Sequence, residues 1–289
     1  MKASIRSGLV IGWRQLFESL LSPGFYIMLS VGLALGSVLV AGFTGSIGSS
    51  GFDPQASPLY DLISRSLSGA FGSTFVEKLF AEGPFLFALV AAFLPVSVYL
   101  AIASVFRFAQ ERSAGAVELL VYGPADGTSY ILAAFLKDLI LSAVSLAFIA
   151  AAFAVEAALT NLLLGPLFLW ALAALFLLSA SFFAYGLLCS IVVVSSSSAI
   201  ALFLGISLVF SLVFAGSFTI VGAPVRTLSS TAAAFLSWIS PFFYAGMIFR
   251  GVQAGSQGAV LAGLLLLAFL SALLVLAGRL IIDAKGVRA

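Results

Sequence analysis

Histidine is absent from all 289 residues, and cysteine occurs once, at Cys189. The first absence removes the commonest metal ligand and the commonest general base. The second excludes an intrachain disulfide and a thiolate metal cluster. Charge is scarce too: Asp, Glu, Lys and Arg together make up 8% of the chain, against roughly 25% in soluble domains. A net charge of +2, with no cluster of basic residues, argues against a nucleic-acid partner. No GxxxxGK[ST] stretch occurs, so the chain has no phosphate loop with which to cradle ATP.

What fills the chain instead is hydrocarbon. Hydrophobic residues make up 62% and the mean hydropathy is +1.23, which predicts an all-α polytopic membrane protein. Six apolar runs are long enough to cross roughly 30 Å of bilayer as helices: 24–44, 84–106, 130–155, 162–194, 199–221 and 258–282. Gly165-Pro166 predicts a kink or a late start in the fourth. Once the spans are subtracted, no stretch remains for a soluble domain, so residues 1–289 read as one transmembrane domain. The first apolar run begins too late and runs too long for a signal peptide, so the chain is expected to be retained whole.

Six spans place both termini on one side. That side carries nine of the 13 Lys and Arg residues, among them Lys2, Arg6, Arg14, Arg107, Arg112, Lys137 and Arg279. Positive charge favours the cytoplasmic side, so both termini and 107–129 are expected there. Residues 1–22 read as an interfacial helix, with Leu9, Trp13, Leu16, Phe17 and Leu20 on one face and Arg6, Arg14, Gln15 and Glu18 on the other. In the first outer loop, Leu59, Leu62, Ile63 and Leu67 oppose Asp61, Ser64, Arg65 and Ser68, a short surface helix. The aromatics of SWISPFFYAGMIFRG suit the membrane interface or a dip into it; Phe242, Phe243 and Arg250 are candidates for an outer gate.

The polar island QERSAGAVELLVYGPADGTSY stands between the second and third spans. Ala114, Val117, Leu120 and Val121 form an apolar stripe opposite Glu111, Arg112 and Glu118, and Gly123-Pro124 ends the pattern. A stiff helix held between two spans acts as a lever on both. Nearby, Lys137 and Asp138 lie inside the third span, where ionisable groups mark functional sites by default. Lys137 is expected to snorkel to the headgroups, and Asp138 to find a basic partner on the interfacial helix. Gly32 and Gly36 form a GxxxG, which permits close helix approach.

The run FAQERSAGAVELLVYGPADGTSYILAAFLKDL resembles the loop and third span of type-2 ATP-binding-cassette (ABC) export permeases. The shared features are Glu111-Arg112, Gly115, Glu118-Leu119-Leu120, Pro124 and Lys137. WRQLFESLLSPGFYIML and SPFFYAGMIFRG are similar to two further segments of that family, in the branch of gliding-motility and nitrous-oxide-reductase-maturation permeases. Ala125-Asp126 departs from the basic or apolar pair often found there. The resemblance implies a permease in the bacterial cytoplasmic (inner) membrane, binding no cofactor itself, with ATP and Mg on a separate ABC ATPase subunit. It implies that Glu111, Arg112, Gly115, Glu118, Leu119, Gly123 and Pro124 form a coupling helix docked on that ATPase. It also implies a second permease copy or paralogue, with Gly32, Gly36, Ser207 and Ser211 as candidates for the seam.

Such a permease would export or extrude a hydrophobic or polymeric substrate. Alternatives are ATP-driven mechanical signalling to an extracytoplasmic accessory protein, with nothing crossing, and ion-coupled secondary transport. An intramembrane hydrolase is disfavoured, because Asp138 has no second intramembrane Asp and the chain has no histidine.

Overall fold

The computed structural model describes residues 2–48, 51–52, 57–71, 80, 83–114, 127–193, 195–219, 235 and 238–285. Within them the chain is helical apart from a two-stranded ribbon. In chain order come α1 (Lys2–Leu20), α2 (Pro23–Gly45), β1 (Ile47–Gly48), β2 (Gly51–Phe52), α3 (Pro58–Phe71), α4 (Pro84–Ser113) and α5 (Gly127–Thr160). They are followed by α6 (Pro166–Val192), α7 (Ser196–Thr219), α8 (Pro241–Gln253) and α9 (Gln257–Lys285). Among the described residues, five helices, α2, α4, α5, α6 and α9, are long and apolar enough to cross a membrane, and Ser196–Leu212 of α7 is a shorter apolar helix.

Proline sets the starts. Pro23, Pro84, Pro166 and Pro241 each occupy the first turn, where the missing N–H has no intrahelical acceptor to lose. The fourth apolar run therefore begins as a helix at Pro166 and not at Leu162; residues 162–165 are a non-helical linker after Asn161, whose φ is 55°. At the other end of the bundle, α4 runs on past Phe106 to Ser113. Glu111 and Arg112 thus belong to the last turn of a span and not to a separate loop helix, with Arg107 Nε donating to Glu111 Oε1 at 3.0 Å one turn away.

α4 and α6 form the middle of the bundle. α4 packs against α2, α5, α6 and α7, and α6 against α5, α7, α8 and α9. Ala88, Leu89, Ala92, Val96 and Val105 of α4 are fully enclosed with Phe153 of α5 and Phe183 of α6. Since lipid is as apolar as these side chains, close packing and buried polar pairs hold the helices together. Ser142 and Ser179 join α5 to α6 at 2.8 Å, and Ser181 and Ser271 join α6 to α9 at 2.9 Å.

Glycine permits the tightest contact. A Cβ on Gly32 would stand 2.0 Å from the Ala92 carbonyl oxygen, and one on Gly36 would stand 2.5 Å from the Phe153 ring. Gly32 and Gly36, expected at a seam between protomers, are enclosed within this chain by α4 and α5. The α8–α9 hairpin uses the same device: a Cβ on Gly263 would meet Ile248 at 2.5 Å.

The short helix expected in the first loop is α3, but its anchor differs. Leu62 is 65% exposed, and Tyr60 is fully buried beside Phe43 and Phe80, donating its hydroxyl to the Leu39 carbonyl at 3.0 Å. On α1, too, the docked edge is unexpected. Gln15 and Leu16 are buried, whereas Trp13 and Phe17 remain 61% and 48% exposed. Gly12 rests on Ala133 of α5, and Gln15 donates weakly to the Tyr130 hydroxyl at 3.4 Å. Leu16 and Leu20 thus hold α1 to the bundle while Val10, Trp13, Phe17 and Leu21 stay exposed, an apolar edge suited to a helix lying at a membrane surface.

Candidate functional site

The polar residues of α1, α4 and α5 converge at the end of the bundle that carries α1. Glu18 of α1 accepts from Arg14 Nε at 2.9 Å and from Arg107 Nη2 of α4. These bonds, with Arg107 the larger influence and Arg14 next, hold the Glu18 carboxyl below its usual range. Arg107 extends the chain of charge to Glu111. The Arg14–Glu18 pair alone is exposed and contributes little; the bridge to Arg107 matters because it ties a surface helix to a span.

Beside it lies a second pair, shielded from solvent. Lys137 and Asp138 of α5 are buried, and Lys137 Nζ reaches Asp138 Oδ1 at 2.9 Å as an ionic contact of poor hydrogen-bond alignment. Ser104 of α4 donates to Asp138 Oδ2 at 2.5 Å. Sequence neighbours project about 100° apart around a helix, yet the lysine stem is long enough to fold its ammonium back. Lys137 therefore turns inward and does not snorkel, and Asp138 pairs with it and not with a basic group of α1. An unpaired charge at this depth is costly, so each group's retention depends on the other.

The third element is Arg112. Its Nη1 faces the last carbonyls of α6, donating to Ile191 at 2.5 Å and to Ser190 at 3.1 Å, with Val193 at 3.4 Å. Helix C-termini leave carbonyls without intrahelical donors and carry partial negative charge, and a guanidinium answers both. The base of the 115–126 segment is thus tied to α1 through Arg107 and to the α6 terminus through Arg112.

Deeper in the bundle, an apolar groove of about 240 Å³ lies between α4, α6 and α7, walled by Phe93, Phe182, Phe203 and Phe242, with Ser207 and Ser211 on one side. Phe242 stacks edge-on against Phe182 at 5.3 Å. Among the described residues no group of three or more metal-ligating side chains occurs.

Residues 77–280 match the family described as ABC-2 family transporter protein. The chain belongs to that family. The match covers α4 to α9, which include four of the five long apolar helices, so the chain is a multi-pass membrane protein and a permease of the ABC-2 transporter type. No curated protein and no solved structure matches it.

Within this ABC-2 transporter, the proposed docking residues divide. Glu111 and Arg112 are engaged inside the protein, with Arg107 and the α6 terminus respectively. Gly115, Glu118, Leu119, Gly123 and Pro124 lie outside the described residues. Of the gate candidates, Phe242 lines the groove, whereas Phe243 is 43% exposed against Tyr244 and Arg250 is exposed. Ser207 and Ser211 border the groove as well. Sequence reading missed Ser104, Ser142, Ser179, Ser181 and Ser271, because a serine in an apolar run gives no sign of which helix it will meet.

Proposed function

We propose that this ABC-2 transporter chain is the membrane-embedded subunit of an exporter whose ATP is hydrolysed, with Mg, on a separate ABC ATPase. The family match carries the reading; the want of a phosphate loop accords with an ATPase on another chain. With α7 as a sixth span both termini and the 107–129 segment share one side of a bacterial inner membrane, and the distribution of Lys and Arg supports the cytoplasmic side. The 115–126 segment docks on the ATPase through Glu118 and the Gly123-Pro124 turn, and a second permease copy or paralogue completes the transporter.

The contacts at the base of that segment support a mechanical route. ATP-driven closure of the ATPase pushes the segment; α4 and α5 move because they flank it. Arg107–Glu18 carries the motion to α1, and Arg112 carries it to α6. The apolar, phenylalanine-lined groove favours a hydrophobic substrate over an ion. The family segments quoted above favour the gliding-motility and nitrous-oxide-reductase-maturation branch.

Co-purification with neighbouring gene products tests the assignment. An ATPase is expected to accompany the wild-type chain and to be lost with Glu118→Arg or an insertion at Gly123. Full retention by both variants contradicts the docking surface.

A further inference from the structure

A polar cavity of about 210 Å³ lies between α1, α4 and α5, bordered by the Glu18–Arg107 bridge. Glu18, Arg107, Lys137 and Asp138 supply two charges of each sign to its wall; Ser19, Ser22 and Tyr99 add hydroxyls. It is several times the roughly 30 Å³ that one water occupies in the liquid.

The donors are under-used. An ammonium has three N–H groups and a guanidinium five. Among the described residues the Lys137 ammonium is ion-paired with Asp138 alone, and Arg107 uses Nε and one terminal nitrogen on Glu111 and Glu18. Ser22 and Tyr99 share one hydrogen bond at 3.0 Å, which leaves one hydroxyl proton free to donate. Spare donors of Lys137 and Arg107 suit phosphate oxygens, while the Glu18 carboxylate, 41% exposed at the rim, suits a cation. A wall carrying both signs selects a zwitterion over a simple anion. Next to the cavity in sequence, Leu21 and Tyr26 are 78% and 52% exposed, offering an apolar lip at the α1–α2 turn.

We propose that this cavity is a binding site for a phosphoethanolamine headgroup, with Lys137 and Arg107 holding its phosphate, Glu18 its ammonium and the Leu21–Tyr26 lip its acyl chains. The lipid is the occupant because exposed, apolar Leu21 directly precedes Ser22 of the polar wall in the chain, and exposed Tyr26 follows one turn later. Phosphatidylethanolamine fits better than phosphatidylcholine, whose trimethylated nitrogen is bulkier and has no N–H to give Glu18. The site is independent of what the protein transports.

The test titrates the detergent-solubilised full chain with dioleoyl phosphatidylethanolamine, phosphatidylcholine or phosphatidylglycerol, counting bound lipid by native mass spectrometry. The expected preference for phosphatidylethanolamine is roughly tenfold, the equivalent of one charge-assisted hydrogen bond. Glu18→Gln is expected to erase the preference over phosphatidylglycerol. Ala103 also lines the cavity and takes no part in its ion pairs; Ala103→Phe, which places a ring in that space, is expected to abolish retention while preserving the lipid-free melting temperature. Equal binding of the three lipids, or wild-type retention by Ala103→Phe, overturns the site. Soluble glycerophosphoethanolamine and inorganic phosphate are run alongside; protection by either equal to that of the lipid overturns the lipid assignment.

Discussion

Arg112 Nη1 lies 2.5 Å from the carbonyl oxygen of Ile191, 79 residues further along the chain. The last turn of α4 thereby closes the end of α6. Arg112→Ala leaves these carbonyls without their donor, and a buried polar group that loses its partner costs about 1–3 kcal/mol. A lower melting temperature in detergent is the expected result. Arg112→Lys is expected to recover only part of it, because a point charge cannot span several carbonyls as a guanidinium does.

The Lys137–Asp138 pair calls for a double-mutant cycle. Asp138→Leu alone strands the buried ammonium, and Lys137→Met alone strands the carboxylate, each at a cost of about 3–5 kcal/mol. Replacing both groups, as Lys137→Met with Asp138→Leu, is expected to return most of that stability, since a buried pair and an apolar isostere are often close in energy. Thermal melts of the two singles and the double decide the matter. Additive losses would show that the two side chains do not act as a unit.

Glycine substitutions separate packing within the chain from packing between chains. Gly32→Ala places a methyl 2.0 Å from a backbone oxygen, which cannot give way without shifting α2 from α4. Gly36→Ala meets the tip of the Phe153 ring, a side-chain and not a backbone atom, and Gly205→Ala meets nothing within 4 Å. The predicted order of destabilisation is Gly32, then Gly36, then Gly205, with about 1–3 kcal/mol for the first. Fluorescence-detected size exclusion after heating measures it. A change in oligomeric state at Gly32 without loss of stability would restore the seam between protomers.

Acid is expected to loosen α1. The Glu18 carboxyl titrates below its ordinary 4.5 because Arg107, and after it Arg14, favours the ionised form. A lowered folded pKa means that the stabilisation is present above about 4.5 and is lost as pH falls through the lower, folded value. Between Trp13 and its surroundings, fluorescence should report a shift below pH 4.5 that Glu18→Gln abolishes at unchanged salt. An identical acid transition in Glu18→Gln assigns it to another group.

Much of the fold is legible in the sequence, since apolar runs of span length need no knowledge of partners, and Ser-Pro or Gly-Pro pairs mark helix starts. The extension of α4 to Ser113 is less visible because its last turns are polar, held by the Arg107–Glu111 pair and the Arg112 cap. Lys137-Asp138 is recognisable as a site by the cost of burying charge, but the direction of each side chain depends on α1 and α4. Gly32 and Gly36 show the same limit: GxxxG marks a close approach and leaves its partner open. Tyr60, hidden in an amphipathic pattern that points to Leu62, is found only through its bond to Leu39.

The most direct measurement of the central claim is the accessibility of Ala116→Cys to a membrane-impermeant maleimide. Cys189, the one native thiol, is buried and supplies a low background. Labelling is predicted in inside-out vesicles and not in intact spheroplasts, with protection when the ATPase is bound. Labelling from the outside, or equal labelling with and without the ATPase, would contradict a cytoplasmic segment driven by a separate ATP-hydrolysing subunit.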